Sequence, residues 1–289
     1  MLDYQAVKNW DFGDIVREYT QRDTMLYALG IGMGEDPLDP DQLAYVTENG
    51  LRAVPTMATA LGVPYSWIRD PRTGADYSLL VHGEQSLRIH SPLAPAATVL
   101  ARNRVVSVSD KGAGKGALVL VERDLLDSAS GVLLARSSSS VFLRGDGGFS
   151  ARSGRSDPGP EPLVSVPERP PEIEVALPTL ARQALLYRLS GDYNPLHSDP
   201  EVARRAGFPR PILHGLCTFG MAAHAVLRTL CRYDAGRIRA LALRFRAPVY
   251  PGETLRFLLW RRDSSSFHLR ARVDARDAVV LDNGVVELS

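Results

Sequence analysis

The chain has 289 residues, 45% hydrophobic and 23% charged, an ordinary globular composition long enough for two domains that each bury a core. The net charge of +1 excludes a global field that would draw the protein to nucleic acid or to an anionic membrane, so neither is expected as a partner. No run approaches the roughly eighteen apolar residues of a membrane span.

The first residues, MLDYQAVKNWDFGD, lack a basic start followed by an apolar core, so no signal peptide is expected. A helix-rich stretch comes next. Strand-like runs of Val and Leu then cover residues 77–90, 98–109, 117–125 and 132–143. Residues 145–172 break the pattern, because eleven of these 28 residues are Gly or Pro. Such a stretch cannot hold a helix or a central strand and reads as a surface linker. The expected organisation is a first domain over residues 1–150, a linker over 151–172 and a second domain over 173–289.

The second half repeats the order of the first. A helix from about Thr179 is expected to end at Ser190-Gly191, where Gly tolerates the turn that stops it. Asp199-Pro200 starts a short helix, with Asp as cap and Pro at the first helical position, and Gly207 ends it. Over residues 215–231, Leu216, Phe219, Ala223, Val226, Leu227 and Leu230 recur at helical spacing with few charges nearby, so this helix should be largely buried. Strands are then expected over 237–247, 254–262, 266–274 and 278–288, with short Gly, Pro and Asp turns that favour antiparallel pairing.

Two matches relate the halves. LRIHSPLAPAAT at 87–98 and LRFRAPVYPGET at 243–254 share Leu, Arg, Pro, Pro and Thr at an offset of 156. Leu26-Tyr27-Ala28-Leu29 resembles Leu186-Tyr187-Arg188-Leu189 at an offset of 160. Two matches in the same order imply a duplicated fold. A long buried helix wrapped by an antiparallel sheet is a hot dog, so the expected class is α+β, a double hot dog with a long helix in each half.

Cys217 and Cys231 lie fourteen residues apart on the buried helix, about 21 Å at helical rise and too far for a disulfide. Two buried thiols suit a reducing compartment. The final Glu-Leu-Ser is not a peroxisomal address, and the cytoplasm is the expected location. With no CxxC pair or Cys/His cluster, no metal is expected.

The stretch that carries chemistry is LYRLSGDYNPLHSDPEVARRAGFPRPILHGLCTFG at 186–220. Asp192, Asn194 and His197 fall in a non-helical turn fixed by Pro195. An Asp and a His five residues apart on a rigid turn can face one small volume, as an acid/base pair requires, and His titrates nearest neutrality. Asn194 can offer an amide to water or to a partner side chain. The same three residues equally fit a turn in which Asp192 caps, Asn194 makes an Asx-turn and His197 is merely satisfied. Spacing alone leaves that choice open.

YRLSGDYNPLH closely resembles the hydratase 2 motif of the MaoC-like family, and the longer stretch is similar to the hydratase domain of that family's peroxisomal multifunctional enzymes. RDTMLYALG at 22–30, VHGEQ at 81–85, DKGAGKGA at 110–117 and FRAPVYPGETL at 245–255 extend the likeness, in order, along nearly the whole chain. The resemblance implies reversible hydration of a trans-2-enoyl-CoA to a (3R)-3-hydroxyacyl-CoA. It casts Asp192 and His197 as the pair that activates water and protonates the alpha carbon, with Asn194 helping to place them. Gly215 would offer its N–H to the thioester oxygen, and its place at a helix start supports that role on physical grounds.

By resemblance alone, His82, Gly83, Lys111 and Phe245 contact the acyl-CoA, as do Tyr193, Pro195 and Leu196 within the motif. His214 is read as structural. Aligning LYAL on LYRL puts Gly32 where Asp192 stands, so the first half carries no acid/base set. One active site per chain is expected, and the degenerate half would take the acyl chain. The substrate is an acyl-CoA, no cofactor is expected, and a homodimer is, because hot-dog sheets often associate. The same residues would serve the reverse dehydration of a 3-hydroxyacyl thioester. A non-catalytic acyl-CoA-binding hot dog would have no reason to keep the Asp192/Asn194/His197 set. A thioesterase, which shares the fold, would release free thiol.

Overall fold

The computed structural model describes residues 2–289. The strands are β1 (Asp14–Tyr19), β2 (Leu80–Ile89), β3 (Ala97–Asp110), β4 (Ala117–Asp127), β5 (Leu133–Leu143), β6 (Ile173–Pro178), β7 (Ile238–Phe245), β8 (Thr254–Arg261), β9 (Ser266–Val273) and β10 (Ala278–Leu288). They form one ten-stranded sheet in the order β1-β3-β4-β5-β2-β7-β10-β9-β8-β6, with antiparallel neighbours throughout. Replacing each strand by the one five places later reverses this order onto itself. The duplication implied by the sequence is therefore present in the topology.

The helices are α1 (Tyr4–Lys8), α2 (Gln21–Gly30), α3 (Pro40–Leu43), α4 (Ser150–Ser153), α5 (Gln183–Tyr187), α6 (Pro200–Arg205) and α7 (Gly215–Val226). None among the described residues is long and apolar enough to cross a membrane. From Cys217 onward every residue of α7 is buried, and a wide-turn segment continues it to Cys231. Cys217 and Cys231 are both buried and unpaired.

The double hot-dog arrangement differs from its expected form in one respect: only the second half has a long central helix. The matching stretch of the first half breaks into tight turns at Pro55–Thr59, Trp67–Arg69 and Pro71–Thr73. Pro64 and Pro71 cannot donate to a helical ladder, and Gly62 sits at φ +67. Two strands were not expected from the sequence, β1 and β6. Each is six residues long and lies at a free edge of the sheet, where one-sided pairing leaves a weak alternation. The 145–172 stretch also departs from its expectation, since it holds one turn of helix, α4. Its Asp157 is pinned by Tyr4 Oη at 2.8 Å, Lys8 Nζ at 2.8 Å and the Val108 N–H at 2.9 Å.

The halves meet at the β2–β7 pairing, where Arg244 on β7 reaches Glu84 on β2 at 2.5 Å. Behind the sheet, α2 of the first half packs on α5 and α7. Gln183 Nε2 donates to the Gly30 carbonyl at 2.6 Å, and Cys217 Sγ lies 3.2 Å from that oxygen. The contact is close enough that a β-carbon on Gly220 of α7 would lie 2.4 Å from Ile31 Cγ2. Gly at that point is a packing requirement.

Candidate active site

Helix α5 starts at Gln183, later than the sequence suggested, because Thr179 and Leu180 are held outside it. The Thr179 hydroxyl donates to the Glu253 carbonyl at 2.7 Å, and the Leu180 N–H donates to Gln183 Oε1. A tight turn over Arg188–Ser190 ends at Gly191, whose φ of 121° a side chain would strain. The chain then makes the turn that carries the motif. Asp192 Oδ1 accepts the Asn194 N–H at 3.1 Å, and Asn194 Oδ1 accepts the Leu196 N–H at 3.1 Å. Pro195–His197 form a single tight turn capped by Asn194. The Asp and Asn are thus turn-forming residues, as the plain reading of the spacing had it. That role leaves the rest of the Asp192 carboxylate and the Asn194 amide N–H₂ available.

The turn brings Asp192, His197 and His214 together, with one oxygen or nitrogen of each within 4.8 Å of the others. His197 is 8% exposed, and its Nδ1 lies 2.9 Å from the Ile212 carbonyl. A carbonyl only accepts, so Nδ1 carries the proton and Nε2 keeps its lone pair. Burial lowers the His197 pKa, opposed by the nearby Asp192 charge and by the Ile212 bond, so the ring is neutral at pH 7. His214 Nε2 donates to the Asp192 backbone carbonyl at 3.1 Å. Its ring stacks on that of His197 with centroids 3.7 Å apart and planes 26° from parallel. Burial, with the His197 charge adding to it, pushes its pKa down to about 2.

Across the site, Gly215 opens α7 directly after His214, whose ψ of 136° is extended. The Gly215 N–H makes no backbone hydrogen bond among the described residues, as expected for the first turn of a helix. A β-carbon at Gly215 would lie 3.3 Å from the Phe245 ring. That ring in turn packs on His82 at 4.7 Å between centroids. Thus Gly215, Phe245 and His82 form one wall. Gly83 lies where β2 skips a residue against β5, a bulge with Ser140 close behind it. Leu196 is half-buried. Tyr193 is 57% exposed under the Arg188 guanidinium at 4.9 Å, and Pro195 is exposed too. Lys111 stands apart on the β3–β4 hairpin, its ammonium against Gly159 of the linker.

The sequence matches the MaoC like domain over residues 163–282 and the MFE-2 hydratase 2 N-terminal domain over residues 17–145. It is 41% identical over 286 residues to the 3-hydroxyacyl-thioester dehydratase Y of Mycobacterium tuberculosis, covering 93% of each chain. It is 42% identical over 254 residues to the peroxisomal enoyl-CoA hydratase 2 of Arabidopsis thaliana, covering 84% of this chain and 82% of that one. The crystal structure of a MaoC-like dehydratase from Phytophthora capsici superposes with a TM-score of 0.84 at 32% identity, covering 99% of this chain and 98% of that one.

This chain belongs to the MaoC-like hydratase family. Within this MaoC-like protein, the Asp192/His197/His214 cluster is ill suited to a metal. Each histidine holds one nitrogen against a carbonyl and keeps a free lone pair on the other. But the two rings stack nearly parallel, so their free in-plane lone pairs run side by side and do not converge on one point. Sequence reasoning set His214 aside as structural, but the structure places it in contact with both members of the pair. It missed two other residues. The Tyr65 ring comes within 4.0 Å of a β-carbon built on Gly191, beside the motif turn. Arg123 lies on β4, in a cavity of about 90 Å³ that reaches Leu216 and His82.

Proposed function

We propose that this protein reversibly hydrates trans-2-enoyl-CoA to (3R)-3-hydroxyacyl-CoA, with Asp192 and His197 as the acid/base pair. The observation that carries the reading is the spacing of the two groups. A carboxylate oxygen and an imidazole nitrogen within 4.8 Å of one another leave a place where one water can touch both. His197 presents a basic Nε2 there, because Nδ1 is committed to Ile212. The water oxygen adds to C3 while the pair accepts its proton. The electrons move to the thioester oxygen as an enolate, which the Gly215 N–H and the positive end of α7 stabilise. The pair then returns the same proton to C2. Oxygen and proton arrive from one side, so addition is syn. Polarisation of the thioester makes C3 electrophilic, so neither a redox cofactor nor a metal has a part in the proposed route.

Asn194 fixes the turn and offers its amide to the water. Phe245 and His82 wall the thioester beside Gly215, and Leu196 supports the motif from below. Lys111, set apart on its hairpin, suits the far end of the CoA. Gly83 shapes the bulge beside His82, and Tyr193 and Pro195 form the outer lip. We place the protein in the cytoplasm as a homodimer, in keeping with its buried free thiols and with edge strands β1 and β6 that stay open for pairing.

Incubation of the pure protein with crotonyl-CoA, followed by chiral analysis of the product, tests the reading. The account expects the (3R)-3-hydroxy thioester and no release of free thiol. The (3S) product, or free CoA, would contradict it. The opposite direction, dehydration of a 3-hydroxyacyl thioester carried on CoA or on a carrier protein, is a second reading; the name of the Mycobacterium tuberculosis relative favours dehydration of such a thioester and names no carrier. It is distinguished by running the assay with the two acyl carriers side by side.

A further inference from the structure

The inward face of β4 reads Ala117, Val119, Val121, Arg123, Leu125, and all five are buried. One guanidinium therefore interrupts an apolar stripe. The flanking acids do not compensate it. Glu122 and Asp124 point to the opposite face, where Arg104 pairs with both and Arg136 with Asp124. Arg123 is 8% exposed. Its Nη2 donates to the Thr59 carbonyl at 2.8 Å and to the Ala58 carbonyl at 3.3 Å, while Nε is buried with no partner. Burial lowers its pKa to about 10, with Tyr65 the one acidic group felt nearby, so it stays charged at neutral pH. A buried, charged and unpaired guanidinium is costly unless something is to meet it.

What could meet it is defined by the cavity of about 90 Å³ in front of it. Liquid water takes about 30 Å³ per molecule, so the space holds a carboxylate or a few waters. Its walls are mixed: Gln85, Asn103, Ser137 and Ser139 line it beside Arg123, and Pro64, Trp67, Val121, Val141 and Leu216 complete it. Asn103 Oδ1 and His82 Nε2 are buried there without partners. It also touches Leu216, the residue after Gly215, and His82, whose ring packs on Phe245. The cavity thus shares His82 and Leu216 with the surroundings of Gly215 and has Arg123 in its wall.

We propose that this cavity receives the far end of the acyl chain and that Arg123 makes the protein selective for acyl groups ending in a carboxylate. The proposal rests on the acyl-CoA reading above. A methyl end would leave the guanidinium unpaired, whereas a carboxylate accepts two parallel N–H bonds from it.

Calorimetric titration with saturated acyl-CoA thioesters, matched in length and ending in methyl or in carboxylate, tests this without turnover. The carboxyl-ended series is expected to bind wild type at least about tenfold tighter at the best-fitting length. Arg123→Gln, which keeps a donor for the Thr59 and Ala58 carbonyls, is expected to abolish the preference and leave methyl-ended binding unchanged. Equal or weaker binding of every carboxyl-ended thioester to wild type overturns the proposal, even if the variant does not fold. So does an equal loss of both series in Arg123→Gln, which would make Arg123 a clamp for the Pro55–Thr59 turn. A carboxylate preference in a protein that hydrates no enoyl-CoA would sustain the cavity assignment and defeat the hydratase reading.

Discussion

His214 stacks on His197 at 3.7 Å and at the same time donates its Nε2 proton to the backbone carbonyl of Asp192. One neutral, buried ring therefore fixes both members of the acid/base pair: the plane of the imidazole and the backbone that carries the carboxylate. Its pKa of about 2 keeps it from adding a positive charge beside His197 at working pH.

His214→Phe keeps a ring to stack but removes the donated hydrogen bond. The expected outcome is a fall in kcat of roughly ten- to a hundredfold with KM little changed, as small displacements of a catalytic group produce. Steady-state kinetics on a soluble enoyl-CoA separate the two constants. A variant with wild-type kcat would remove His214 from the positioning role.

Gly215 can be probed at its N–H alone. Residue 215 is the first of α7, and His214 before it is already extended, so proline is compatible with the backbone there. Gly215→Ala keeps the N–H and crowds Phe245 at 3.3 Å; Gly215→Pro crowds it too and deletes the donor. The proline variant is expected to have a kcat roughly a hundredfold or more below that of the alanine variant, the usual effect of losing one oxyanion donor. Equal rates would show that the N–H does not meet the developing charge.

Acid should unfold the protein earlier than its carboxylates alone would. His82 and His224 are both held near pKa 4 by burial, and His197 and His214 are also lowered. The unfolded chain binds these protons below about pH 6.5 while the folded chain refuses them, so stability falls as pH drops from there toward 4. At pH 5, His82 and His224 each account for a loss on the order of 2 kcal/mol. Denaturant midpoints between pH 7.5 and pH 5 check this, and a flat profile would contradict the burial of these rings.

Gly220→Ala places a methyl 2.4 Å from Ile31 Cγ2 and 3.0 Å from Tyr27 Oη, at the crossing that joins the two halves. Overpacking of this kind costs roughly 1–3 kcal/mol. A thermal midpoint lowered by several degrees is expected, and pairing with Ile31→Leu, which removes the Cγ2 methyl, should recover part of it.

Much of this arrangement could be read from the chain. Eight of the ten strands carry enough Val and Leu alternation to be seen, and the spacing of Leu216, Phe219, Ala223 and Val226 marks α7. The motif turn was legible because Gly191, Pro195 and the Asp199-Pro200 cap constrain the backbone locally. Strands β1 and β6 were not, since DIVREY and IEVALP owe their strand state to a neighbour on one side. The missing helix of the first half was written in Gly62, Pro64 and Pro71, yet the repeat outweighed them in the reading. The stacking of His214 on His197 depends on a contact seventeen residues away that no spacing reveals. Arg123 did have a signal. In ALVLVERDLLD, strict alternation puts the arginine on the same face as Ala117, Val119 and Val121, and a charge on the inward face of a strand marks a site or a partner.

The central claim is that Asp192 and His197 together add water to an enoyl thioester. Following the decay of enoyl-thioester absorbance with wild type, Asp192→Asn and His197→Gln tests it most directly. The account predicts rapid loss of the band in wild type and a rate lower by roughly a thousandfold or more in each variant, the scale of a lost acid/base group. A band that wild type leaves untouched, or that either variant removes at the wild-type rate, would contradict it.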